Sequence, residues 1–101
     1  MEMNVGLLYR SFQRALLLNI PEGVKVISFE QINPKKIEMW VVSNRELDEE
    51  GRDHLFSAAV EVEGDFHDDT VCDVHFFVSS EVFSHVPKLK NVAFAMADPG
   101  T

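Results

Sequence analysis

KIEMWVVSNRELDEEGRDHLFSAAVEVEGDF, residues 36–66, is the stretch that decides the fold. Its first part, Ile37 to Val42, is a β-branched and aromatic run that reads as a strand, and Ser43 to Glu46 is too polar to continue it. Asp48 then stands where a helix would begin. Its short carboxylate can accept from the unpaired backbone donors of a first turn, and Glu49 and Glu50 follow where the helix dipole favours anions. Leu47, Gly51, Leu55, Ala58, Ala59, Val62 and Phe66 recur at helical spacing and mark one continuous face. Gly51, Ala58 and Ala59 are small enough to let that helix lie close on a sheet. Glu49, Glu50, Asp53, Ser57 and Glu61 are left for its outer side.

Working outward, Asn33-Pro34-Lys35-Lys36 is a turn, and Val24, Val26 and Phe29 belong to a strand before it, so a hairpin is the economical joining. Pro21 and Glu22-Gly23 end an N-terminal helix expected from about Val5 to Asn19. Leu8, Phe12, Ala15 and Leu16 form its apolar stripe, flanked by Leu7 and Leu18, with Arg10, Gln13 and Arg14 off that face. On the other side, His67-Asp68-Asp69 is a polar turn and Val71 to Val78 a third strand. There Cys72, Val74, Phe76 and Val78 share one face, and Asp73, His75 and Phe77 the other. Ser79 to Lys90 is a looser stretch. Asn91 to Met96 is a fourth strand with Val92, Phe94 and Met96 on one side, and residues 97–101 read as a frayed tail. The order is helix, strand, strand, helix, strand, strand. The natural packing is α+β, two helices on one face of a four-stranded, mainly antiparallel sheet, with residues 1–101 as one domain. Strand order has no local signature.

Composition narrows the function. A chain of 101 residues with 46% hydrophobic content can fill one core. No apolar run approaches the roughly 20 residues that cross a bilayer, so no membrane role is expected. The opening residues lack a basic-then-apolar leader, and the single cysteine, Cys72, fits a reducing compartment, so the cytoplasm is the expected location. The net charge of −8 is concentrated. Residues 46–73 hold eleven acids against one base, Arg52, a net −10, which leaves six acids and eight bases elsewhere. Such a field repels phosphate and attracts basic surfaces, which argues against nucleic acid and for a basic protein partner. Arg10, Arg14, Lys25, Lys35 and Lys36 are better read as a mixed-charge surface than as a nucleic-acid patch.

Catalytic and metal chemistry find little purchase. His67, Cys72 and His75 fall close together beside Asp68, Asp69 and Asp73, but zinc sites use tighter paired spacings. Cys72 and His75 also differ by an odd number on a strand, which points them to opposite faces and makes Cys72 a small core hydrophobe. Glu61, Glu63 and Asp65 point around the helix, not together. No glycine-rich phosphate loop, nucleophile elbow or Cys-His pairing occurs. Neither an enzyme nor a metal or other cofactor is expected.

Residues 36–66 also carry a resemblance. A strand ending in a polar turn (Ile37 to Ser43), an acidic helix start (Asp48-Glu49-Glu50 and Arg52), a small-residue middle (Ala58-Ala59) and a closing Asp65-Phe66 are similar to the immunity proteins of contact-dependent growth inhibition and related polymorphic toxin systems. The rest of the chain agrees with them only in the order of its elements. The resemblance implies a protein that neutralises a cognate toxin domain, the C-terminal part of a secreted effector and many times a basic nuclease, by covering its active-site cleft. The carboxylates expected to meet it are Glu49, Glu50, Asp53, Glu61, Asp65, Asp68 and Asp69. The competing reading is an adaptor or structural domain whose acidic face is only solubilising.

Overall fold

The computed structural model describes residues 5–17, 20–66 and 69–96. Expectations for Leu18, Asn19, His67, Asp68 and the tail from residue 97 lie outside the described residues.

Helix α1, Val5–Leu16, buries Leu8, Phe12, Ala15 and Leu16, the stripe its periodicity marks, and also Ser11. Pro21 and Gly23 turn the chain into strand β1, Val24–Asn33, and Gly23 takes the left-handed φ of +96° that a side chain would resist. The hairpin is as expected: β1 pairs antiparallel with β2, Lys36–Ser43, closing at Asn33 and Lys36. The Asn33 side chain accepts from the Lys35 N–H at 2.9 Å, a local contact that favours the turn. Helix α2, Glu49–Gly64, begins where the sequence places it, with the Asp48 carboxylate accepting from the Gly51 N–H at 2.7 Å. Leu55, Ala58, Ala59 and Val62 are buried, and Phe66 packs against the same core beyond the helix end. Strand β3, Val71–Val78, and strand β4, Asn91–Ala95, complete the sheet.

The sheet runs β3-β2-β1-β4. It is mixed, which corrects the expected, mainly antiparallel arrangement in one pairing: β1 pairs antiparallel with β2 and β4, but β3 pairs parallel with β2. The reason lies in α2. A helix crossing the sheet face carries the chain back to the end where β2 began, so the next strand enters in the same direction. Leu8, Phe12, Leu55 and Val62 from the two helices meet Ile27, Phe29, Ile37, Met39 and Val41 in one core, where the Phe12 and Phe29 rings stack 4.4 Å apart.

Two further expectations change. Val92 and Phe94 do not share a face. Between the pairs Ile27–Phe94 and Ser28–Val92 the register shifts, so two β4 steps oppose one on β1 and Ala93 is the extra residue. Ala93 and Phe94 therefore pack on the helix-covered core, whereas Val92 joins Val26, Val42 and Val86 on the opposite face; Met96 lies exposed past the strand. The segment from Ser79 to Lys90 is also stitched down. It runs from one edge strand to the other beneath the sheet, through a single 3-10 turn at Phe83–His85, and buries Val86. The Leu89 N–H donates to Ser28 Oγ at 2.9 Å, the Lys88 ammonium to the carbonyls of Phe83 (2.6 Å) and Val86 (3.1 Å), and Lys25 to the Glu81 carbonyl.

Leu55 is fully buried at the centre of the α2 face. Leu55→Ala is expected to cost about 2–5 kcal/mol in urea unfolding, as large-to-small core changes do. A loss below about 0.5 kcal/mol, the size of an ordinary surface change, contradicts the packing described.

Candidate partner-binding surface

The outer side of α2 is where the acidic segment meets solvent. Glu49, Glu50, Asp53, Ser57 and Glu61 are all exposed, and the spacing of 49, 53, 57 and 61 makes one row along the helix. Glu50 stands 3.9 Å from His54 one turn on, both well exposed. Four of the seven expected carboxylates thus share this helix surface, held by the Asp48 cap at one end and the buried face beneath.

The exit of the helix behaves differently. Asp65 accepts from Ser11 Oγ at 2.5 Å and from the Arg14 guanidinium, so it ties the end of α2 to α1. Asp69 pairs with Lys35 at 2.8 Å, and its hydrogen bond and charge raise the Lys35 ammonium pKa. These two carboxylates already have cations of their own chain, and Asp68 lies outside the described residues. The acidic segment is also partly neutralised at Asp73, which sits 3.5 Å from Lys36, and at Glu46, 3.8 Å from Arg52.

Sequence reasoning missed two residues of this surface. Phe56 and Val60 stand on the flank of α2 that faces β3, 47% and 63% exposed, with the Phe56 ring edge-on to Phe76 at 5.5 Å. The available signal was their offset of one from buried Leu55 and Ala59, about 100° around the helix. Beside them Glu63 turns inward: its carboxylate accepts from the Cys72 N–H at 2.7 Å. Cys72 is buried in the helix-covered core, while His75 is exposed on the other face, 3.6 Å from Glu38. Burial, then the charges of Glu63 and Asp73, push the Cys72 thiol up to about 12.

Two helices over a mixed sheet and an exposed acidic helix surface describe a small α+β protein. Among those residues no helix is long and apolar enough to cross a membrane. The sequence profile of the MafI2 immunity proteins matches residues 6–97, and the chain belongs to that family. It is a small immunity protein of a bacterial polymorphic toxin system, in a class that generally works by binding a cognate toxin and not by catalysis. No curated protein matches the chain.

Asp65→Ala is expected to cost about 1–2 kcal/mol in urea unfolding, because it strands the buried Ser11 hydroxyl. Asp53→Ala, on the solvated row, should stay within about 0.5 kcal/mol. Equal effects of the two contradict the division of labour described. For Cys72, alkylation of the folded chain should keep accelerating with pH beyond the ordinary thiol value of 9.0, towards about 12. The thiol's contribution to stability is complete below that ordinary value and is lost as pH rises through the folded one. A rate that levels off near the ordinary value contradicts the burial.

Proposed function

We propose that this chain neutralises its toxin by laying the acidic outer surface of α2 over a basic active-site cleft, with the toxin a nuclease carried as the C-terminal domain of a secreted effector. On this reading the carboxylates stand in for nucleic-acid phosphates. The observation that carries it is the exposed row of Glu49, Asp53 and Glu61 with Glu50 beside it, within a segment of net −10. Capture takes place in the cytoplasm of the producing cell, where speed matters because free toxin is lethal. A single-signed field raises association 10- to roughly 10³-fold, and the gain shrinks as salt screens charges more than about 8 Å apart. Asp65 and Asp69 contribute to the field despite their ion pairs, and Asp68 adds its charge to the segment. Family membership favours this reading over a merely solubilising face.

The test is binding kinetics against the cognate toxin domain, in a catalytically inactive form, across a salt series. Wild-type association should fall about tenfold or more between low and physiological salt. Glu49→Gln, at the rim, should mainly slow association. Asp53→Asn or Glu61→Gln, if seated against a toxin cation, should speed dissociation at a cost of about 2–5 kcal/mol. Salt-independent association together with wild-type binding by these variants, Asp68→Asn and Asp69→Asn included, defeats the proposal.

A further inference from the structure

The sheet has two edges, and they are treated differently. β4 is five residues long, and its Ala93 carbonyl accepts from Gln13 Nε2 of α1 at 2.7 Å. The other edge, β3, is eight residues long. Its Val71 N–H donates to the Lys35 carbonyl at 2.8 Å and the N–H of Ser79, just past the strand, to the Ser43 carbonyl at 2.9 Å, so odd-numbered residues turn their backbone groups to β2. The even-numbered ones, Cys72, Val74, Phe76 and Val78, turn theirs outward. Glu63 caps the Cys72 N–H. Among the described residues nothing caps the N–H groups of Val74, Phe76 or Val78.

An unpaired edge of this length is a template for another strand. The ground beside it is also prepared. A groove of about 410 Å³ runs between β3 and the flank of α2, with exposed Phe56 and Val60 on one wall and Val71 and Val74 on the other. Side chains of an added strand alternate between faces, so every second one would enter this groove and the others would lie beside Asp73 and His75. Glu63 and Asp73 flank the edge and the acidic row of α2 rises beyond it.

We propose that β3 is the docking edge for an extended segment of the toxin, which adds to the sheet as a fifth strand, places apolar side chains against Phe56 and Val60, and carries Lys or Arg at its flanks. A second copy of this chain fits the edge poorly, because each copy brings a net charge of −8 and the same acids to the same place. A basic segment meets the opposite sign. The inference rests on the proposed toxin-binding role and adds to it the recognition mode: backbone hydrogen bonds along β3 supply the pairing, and the groove selects alternate apolar side chains.

Amide hydrogen exchange, read by NMR on the full chain, tests it. In the free protein the Val74, Phe76 and Val78 amides should exchange fast while Asp73, His75 and Phe77 are protected. Adding the inactive cognate toxin domain should slow the three outward amides by about 10²-fold or more, the range for amides that open only with a cooperative unit. Val78→Pro removes one outward donor at an exposed position and leaves the ladder to β2 intact. It should weaken binding by about tenfold, one hydrogen bond's worth, with an unchanged melting curve. Phe56→Lys should do likewise through the groove. A salt-sensitive complex that leaves the three amides exchanging as in the free chain overturns this inference and spares the acidic-surface reading. Failure to form any complex overturns both. Concentration-dependent protection of the same amides in the free chain gives the edge to a second copy and also overturns it.

Discussion

The burial of one face of α2 is the constraint on which the rest of the structure depends. Leu55, Ala58, Ala59 and Val62 must leave water, and they do so against α1 and β3, within the core that both helices share with the sheet. Because the helix lies across the sheet, the chain re-enters it in the direction of β2, and a parallel pair follows. That single consequence sends β3 to the outside and obliges the chain to travel under the sheet to reach β4. It also turns the other side of α2, with Glu49, Asp53 and Glu61, to solvent. Burial and display are two sides of one helix.

The other contacts hold this arrangement at its ends. Small Gly51 lets the first turn of α2 approach Pro21, whose Cβ would lie 3.5 Å from an added methyl, while Asp48 caps the helix above it. At the far end, Asp65 binds Ser11 and Arg14 and fixes α2 to α1. The segment below the sheet is fastened mainly through polar side chains, Lys25, Lys88 and Ser28, with Val86 as its apolar anchor. Backbone that leaves the ladders still needs partners where it packs against the sheet, and these side chains supply some of them.

What the sequence disclosed and what it concealed follow from the range of the forces. Both helices, the Asp48 cap and the hairpin at Asn33–Lys36 rest on spacings of a few residues, so they were legible. The parallel pairing of β3 was not, because strand direction depends on where a helix sixteen residues long delivers the chain. The bulge at Ala93 was not, because an extra residue on one strand is defined only by its neighbour. The acidic row was legible as an outer face. The engagement of Asp65 by Arg14 and of Asp69 by Lys35 was not, since each partner is remote in sequence. Phe56 and Val60 were hidden for a different reason: helical phase marks what is buried and leaves open which flank a neighbouring strand will shelter.

The two readings of the acidic segment, solubilising and binding, need not compete. A long unpaired strand edge invites self-association, and proteins blunt such edges with charge, caps or cover. Here Glu63 caps the first outward donor, and a net −8 sets one copy against another. That repulsion is selective by sign. On the proposed reading, the field that sets one copy's β3 against another's lowers the barrier to a basic partner, and within about a Debye length it acts on approach before any contact forms. Short-range pairing along the proposed docking edge and apolar contact at Phe56 and Val60 would then fix register, which a diffuse field cannot do. On the proposed reading the acids guard the edge until the toxin arrives, and then guide it there.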